Sequence, residues 1–235
     1  MEAIKNIRIS PATHSDYIRP LRLYFDQAQR KRAWDVIKSH NSVSAVLYHE
    51  QKNALVFVKQ FRPAVYVNSI SIPPNFTGPI DSVANPTSLG VTYELCAGIV
   101  DKDLPLERIM QEEIMEECGY QVPVEKLEKI TSCRQGFRHF VPRTVIFSTA
   151  FFFRSGVGFA GASQTYFYSA IDDSMKISDG GGNPLECESI EVVHMPIDDA
   201  EAFLLDEKIN KPPGILFGVM WFLKFKLPQI ASAKV

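Results

Sequence analysis

Hydrophobic positions gather in short runs rich in Val, Leu and Phe at residues 42–47 and 54–59, with polar residues 50–53 between them. That pattern predicts two strands joined by a turn. Residues 7–25 alternate less regularly and predict one or two strands, and 30–38 continue through Trp34. Residues 73–90 hold four prolines among small polar residues and predict a loop. Strands are expected at 92–97, from 125–130, at 164–170 and at 189–195. The apolar period changes to that of a helix at 106–118, 198–205 and 214–225. Gly180, Gly181 and Gly182 stand in a row inside a predicted flexible loop, 179–183. Strands mixed with two or three helices, and no internal repeat, imply an α+β chain with a mixed sheet between helices. Residues 1–40 are expected to form a small N-terminal β subdomain, and 41–235 the main domain.

Bulk properties narrow the partners. With 25 basic and 27 acidic residues the formal net charge is -2, so no basic excess points to nucleic acid or an anionic membrane. An anionic ligand must be attracted locally. Residues 1–5 lack the apolar core of a signal peptide, and the longest apolar runs fall short of the roughly 20 residues a membrane helix needs. Cys96, Cys118, Cys133 and Cys187 show no C-x-x-C spacing, which argues against zinc and a disulfide framework. The expected location is a reducing cytoplasm.

The chemistry concentrates in Glu-Glu-Ile-Met-Glu-Glu-Cys-Gly-Tyr, 112–120. On a helix Glu113, Glu116 and Glu117 stand at i, i+3 and i+4, so three carboxylates share one face. Like charges at that spacing repel unless cations sit between them. Mg²⁺ takes a few carboxylate oxygens and otherwise keeps water or phosphate oxygens. Acidic triplets also occur on plain solvated helices. Here, however, Gly119 follows as a C-terminal cap would, and a strand-like segment breaks into a turn just upstream, at 94–101.

The stretch from Gly98 to Tyr120 resembles the Nudix box, G-x5-E-x7-R-E-U-x-E-E-x-G-U with U apolar. Gly98, Glu113, Ile114, Glu116, Glu117, Gly119 and, loosely, Tyr120 fall on its register. Leu104 replaces the first glutamate and Glu112 the arginine, which normally helps to hold a ligand glutamate. Arg108, four residues before Glu112, is expected to pair with it and take over part of that support. Lys-Gln-Phe-Arg-Pro-Ala-Val (59–65) resembles the segment after the first core strand in the ADP-sugar and UDP-sugar branch. Further phrases at 16–21, 34–40, 155–158, 190–196 and 218–223 are similar to the UDP-sugar members, so the resemblance covers nearly the whole chain. Residues 134–154 have no counterpart in it. They carry four arginines and six phenylalanines, and are either an extra hairpin or translated intron in a faulty gene model.

The resemblance implies the Nudix fold, a homodimer, and hydrolysis of a nucleotide-sugar diphosphate with Mg²⁺, Mn²⁺ being a possible substitute. Its metal ligands would be Glu113, Glu116, Glu117 and the carbonyl of Ala97, with Glu116 counted also among the catalytic residues. A loop glutamate outside the box would act as base or complete the metal site, here Glu186 or Glu188, with the glycines as a hinge. Arg62, restrained before Pro63, would grip a phosphate with a bidentate guanidinium. Glu94 would contact Arg62 or a sugar hydroxyl. Trp34 would stack on the nucleobase or pack an interface. Trp221 reads as core and His194 as structural. UDP-sugars, UDP-glucose first, are the expected substrates; ADP-ribose or another ADP-sugar is the alternative within the class. A catalytically weak nucleotide-sugar binding protein is the alternative outside it, motivated by Leu104, Glu112 and the insertion.

Overall fold

The computed structural model describes residues 4–12, 14–15, 18–134, 158–186 and 188–233, and of Glu186 the backbone. All but the first residue of the 134–154 insertion lies outside them. The N-terminal region forms β1 (Arg8–Ile9), β2 (Arg19–Gln27) and β3 (Arg30–Lys38). β2 and β3 make a separate antiparallel hairpin. Then come β4 (Ser42–His49) and β5 (Ala54–Phe61), as their apolar runs predict. A short helix α1 (Pro63–Ser69) is next, then β6 (Gly78–Pro79), β7 (Val91–Glu94), β8 (Cys96–Ile99) and α2 (Leu106–Glu113). The remainder is β9 (Glu128–Arg134), β10 (Ser163–Ile171), β11 (Glu191–Pro196), α3 (Ala200–Leu205), α4 (Pro213–Trp221) and α5 (Leu227–Ala233).

Seven strands build one mixed sheet in the order β11-β5-β4-β10-β9, with β7 paired to β5 and β8 to β4. Strand alternation sends side chains to two cores. Val43, Ala45 and Leu47 of β4 pack with Val56, Val58, Ile109, Met110 and Ile114 under α2. Val46 and Tyr48 pack with Leu55, Phe57, Phe203, Ile215, Val219 and Phe222 under α3 and α4. The result is the helix–sheet–helix sandwich expected of the α+β reading. The helical stretch Pro213–Ala233 is 21 residues long, longer than the apolar pattern predicts, and by length and composition alone it could cross a membrane. Its inner residues Ile215, Val219 and Phe222 are fully buried against the sheet.

Three local departures matter. The predicted strand 92–97 is two short strands, because the chain crosses there from β5 to β4. β4 and β5 pair only near their turn, from Leu47↔Val56 to His49↔Ala54. Beyond it they splay, and β7 and β8 fill the gap. Leu95 turns into one core and Cys96 into the other. Helix α1 is not announced by the apolar pattern, although Pro63 at its start is a helix-initiation signal. The helix predicted over 106–118 loses α geometry after Glu113 and ends in a π-helical turn, Ile114–Cys118. Such wider turns are frequent at functional sites.

Candidate active site

The wedge of β7 and β8 brings the predicted residues together. The end of the acidic helix lies across β8, and the Ala97 amide donates to Glu117 Oε2 at 2.9 Å. Gly98, next in the strand, has no side chain for a specific reason. A Cβ there would stand 1.9 Å from the Glu113 carboxyl carbon and oxygen. Glu113 is therefore laid over bare backbone beside Ala97.

The three carboxylates are not equivalent, as simple i, i+3, i+4 spacing would make them. Glu117 is buried at 3% exposure, whereas Glu113 is half-buried and Glu116 likewise. Loss of solvent pushes the Glu117 carboxyl up to about 8. The Ala97 amide and the Cys96 thiol pull it back, and the charges of Glu113 and Glu188 add to the rise. Among the described residues, no three acidic, histidine or cysteine side chains close up into a ready coordination shell. The acids instead form an open platform on one helix end.

Arg62 stands at the mouth of the same wedge, in extended backbone just before Pro63. Its Nε donates to Glu94 Oε1 at 2.8 Å and its Nη2 to Oε2 at 2.6 Å. The expected Arg62–Glu94 contact is thus present as a bidentate fork. Thr92, which the sequence reading misses, donates its hydroxyl to Glu94 Oε1 at 2.5 Å. Burial works against the Arg62 charge, but Glu94, then Glu117 and Glu188, hold the guanidinium above its ordinary value. Arg62, Glu117 and Glu188 therefore share one electrostatic neighbourhood.

Of the two loop glutamates, Glu188 accepts from the Asn183 amide through Oε2 at 3.0 Å. Glu186 closes a 3-10 turn, Pro184–Glu186, and its side chain lies outside the described atoms. The glycines between them and β10 are not a loose hinge. Gly181 and Gly182 donate their amides to the carbonyls of Glu117 and Glu116 at 3.0 and 3.1 Å.

Other expectations need correction or relocation. Arg108 does not pair with Glu112; it donates to Gln111 Oε1 at 3.0 Å. Glu112 instead binds Lys102 Nζ at 2.6 Å, with side chains 38% and 50% exposed. A turn residue outside the helix reaches it first. A pair that exposed is worth about 0–1 kcal/mol. Trp34 lies on β3, 44% exposed, with its indole N–H on the Gly158 carbonyl and Arg32 5.5 Å from its ring. Neither partner belongs to the wedge. Trp221 packs on Tyr168 at 5.6 Å.

No family model matches the chain. It is 36% identical over 241 residues to the uridine diphosphate glucose pyrophosphatase NUDT14 of Bos taurus, covering 98% of this chain and 99% of that protein. The chain belongs to the Nudix family of nucleotide-sugar pyrophosphatases. The Mus musculus protein of the same name is 34% identical over 98% of this chain and 99% of its own. A GDP-mannose pyrophosphatase of Yersinia pestis is 30% identical over 77% of this chain and 71% of its own.

The donor set suits the divalent ion this Nudix resemblance implies. The groups that would hold it are hard oxygens, and one is a buried carboxyl that solvent loss keeps from ionising until a cation offsets its charge.

His194 lies on β11, away from the Arg62–Glu94 fork. Its Nε2 meets Tyr120 Oη at 3.1 Å and Lys52 Nζ at 3.2 Å. Because an ammonium only donates, Nε2 accepts there and the ring is neutral. Burial first, then Lys52, His49 and Lys176, press its pKa from 6.5 to about 4, against a small opposing pull from Asp173. The unfolded chain takes up this proton near pH 6.5 while the folded one resists it to about 4. Stability is thus full above 6.5 and falls as pH drops through that window. Urea midpoints should show wild type losing about 1 kcal/mol more than His194→Gln between pH 7 and 5, after discount for partial exposure.

Proposed function

We propose that this chain hydrolyses UDP-sugars, with UDP-glucose and water giving UMP and glucose 1-phosphate, and that it requires Mg²⁺ or, in its place, Mn²⁺. The observation that carries the site is Glu117, buried on the Ala97 amide beside the Arg62–Glu94 fork. The UDP preference rests on full-length similarity to two uridine diphosphate glucose pyrophosphatases. Glu113, Glu116, Glu117 and the Ala97 carbonyl would hold the metal. That ion would offset charge on the diphosphate and lower the pKa of the attacking water. Arg62 commits two of its five N–H donors to Glu94 and directs the guanidinium toward a substrate phosphate. Glu94 and Thr92 fix its orientation. Glu188 takes the proton as water oxygen bonds to one phosphorus and the bridging oxygen leaves on the other. Its carboxylate is the loop acid that Arg62 and Glu117 both feel.

The test is release of UMP across a panel of UDP- and ADP-sugars, with and without Mg²⁺. Glu188→Gln should lower kcat by about 10²–10⁴-fold, the range for a general base. If neither it nor Glu186→Gln costs tenfold, the base lies elsewhere. Binding of UDP-glucose without metal-dependent turnover would mark a binding protein instead.

The same reading makes the N-terminal hairpin a dimer contact. Leu21 and Leu23, 41% and 56% exposed, share one face of β2 with Trp34 opposite Leu23, an apolar patch that a partner would cover. Trp34 would then pack that interface or reach a neighbouring site. Free Cys96, Cys118 and Cys133 fit a reducing compartment, the cytoplasm.

A further inference from the structure

The last turn of a helix leaves carbonyls that need partners. Here each one at the end of the acidic helix has found one, and two of the donors come from one short segment. Gly119 and Tyr120 amides serve Met115 and Ile114 at 3.1 and 3.4 Å. Lys176 Nζ serves Cys118 at 3.1 Å. The carbonyls of Glu116 and Glu117, the two acids in this turn, accept from Gly182 and Gly181.

The three glycines are not interchangeable. Their φ angles are +70°, +113° and +90° for Gly180, Gly181 and Gly182. A Cβ on Gly180 would stand 2.3 Å from the Glu117 carbonyl oxygen, which is backbone and cannot swing aside. A Cβ on Gly182 would meet Glu188 Cβ at 2.6 Å and its Oε2 at 2.9 Å. A Cβ on Gly181 would meet only the Ile190 carbonyl, at 3.8 Å. The same strand of backbone then runs into Asn183, whose amide holds the Glu188 carboxylate.

We propose that Gly180–Gly182 is a positioning strap that sets the helix-end backbone carrying Glu116 and Glu117 and fixes the distance from it to Glu188. Gly180 permits the close approach to the helix, and Gly182 leaves the space in which Glu188 sits. The strap also supplies hold on the metal-binding turn that an arginine at position 112 would otherwise give. The inference rests on the function proposed above.

The experiment uses the full chain stripped of metal. Mn²⁺ affinity is measured by electron paramagnetic resonance of the free ion, kinetics on UDP-glucose with Mg²⁺, and melting temperature alongside. Gly180→Ala should weaken Mn²⁺ binding by about tenfold, in the range seen when groups behind metal ligands are lost. Gly182→Ala should weaken Mn²⁺ binding by less than Gly180→Ala does and lower kcat by about tenfold, because its Cβ crowds Glu188 and Ile190 rather than a helix carbonyl. Gly181→Ala, strained but uncrowded, should shift both by less than either. If the strap is mere structure, all three variants lower the melting temperature while the folded protein keeps wild-type Mn²⁺ affinity and kcat. That result, or wild-type kcat in Gly182→Ala alone, overturns the proposal. Should Gly180→Ala not fold, Gly182→Ala decides, since its collision is with a side chain. Wild type that neither binds Mn²⁺ nor releases UMP overturns the functional reading itself.

Discussion

Replacing Glu117 with glutamine is expected to abolish useful turnover, by about a thousandfold or more, while making the metal-free protein more stable. The two effects have one cause. Glu117 is 3% exposed and its carboxyl is pushed up to about 8 against an ordinary 4.5. A carboxyl raised in the fold binds its proton there while the unfolded chain has released it. Between pH 4.5 and 8 the metal-free fold therefore loses stability as pH rises, by about 1.4 kcal/mol per pH unit. Glutamine keeps the shape and can still accept from the Ala97 amide, but never has to ionise. Melting curves of metal-free wild type and variant should converge near pH 5 and separate progressively up to about pH 8, the variant being higher. Added Mg²⁺ should raise wild type more than the variant, because losing one charged ligand weakens the binding that stabilises by mass action. Curves that stay parallel from pH 5 to 8.5 would mean that Glu117 is not held in a dry site.

That coupling of cost and use explains which parts of the chain can be read in advance. The runs at 42–47, 54–59 and 164–170 announce buried strands because each has apolar neighbours on both faces, and β4, β5 and β10 lie at the centre of the sheet. The acidic ridge is legible because a helix that pays for repulsion among Glu113, Glu116 and Glu117 must have a reason. Features created by long-range pairing are not legible. The break at Leu95 exists only because β4 and β5 splay, and nothing in residues 92–97 encodes that. The row of glycines reads as flexibility because their conformational freedom is visible in composition. The carbonyls that receive those amides belong to Glu116 and Glu117, far back along the chain. The choice of Lys102 over Arg108 as the partner of Glu112 depends on how the preceding turn folds back.

Gly98 offers the second large effect, and its sign is set by what can move. The Cβ of Gly98→Ala would fall 1.9 Å from Glu113 Cδ and 2.5 Å from its Cγ. These atoms belong to the far end of a flexible, half-buried side chain, not to the core. Overpacking a rigid interior costs about 1–3 kcal/mol, but here the carboxylate can swing away for less. The melting temperature should therefore drop by only a few degrees, while kcat/KM for the nucleotide sugar falls by about a hundredfold, as for a lost metal ligand or its support. The mechanism is checked by a double-mutant cycle. If the alanine acts by displacing Glu113, then Gly98→Ala combined with Glu113→Gln should be hardly worse than Glu113→Gln alone, since residues acting as one unit are not additive. Two losses that multiply would show instead that the strand at Gly98 has been distorted, and that Glu113 is not laid across it in the working enzyme.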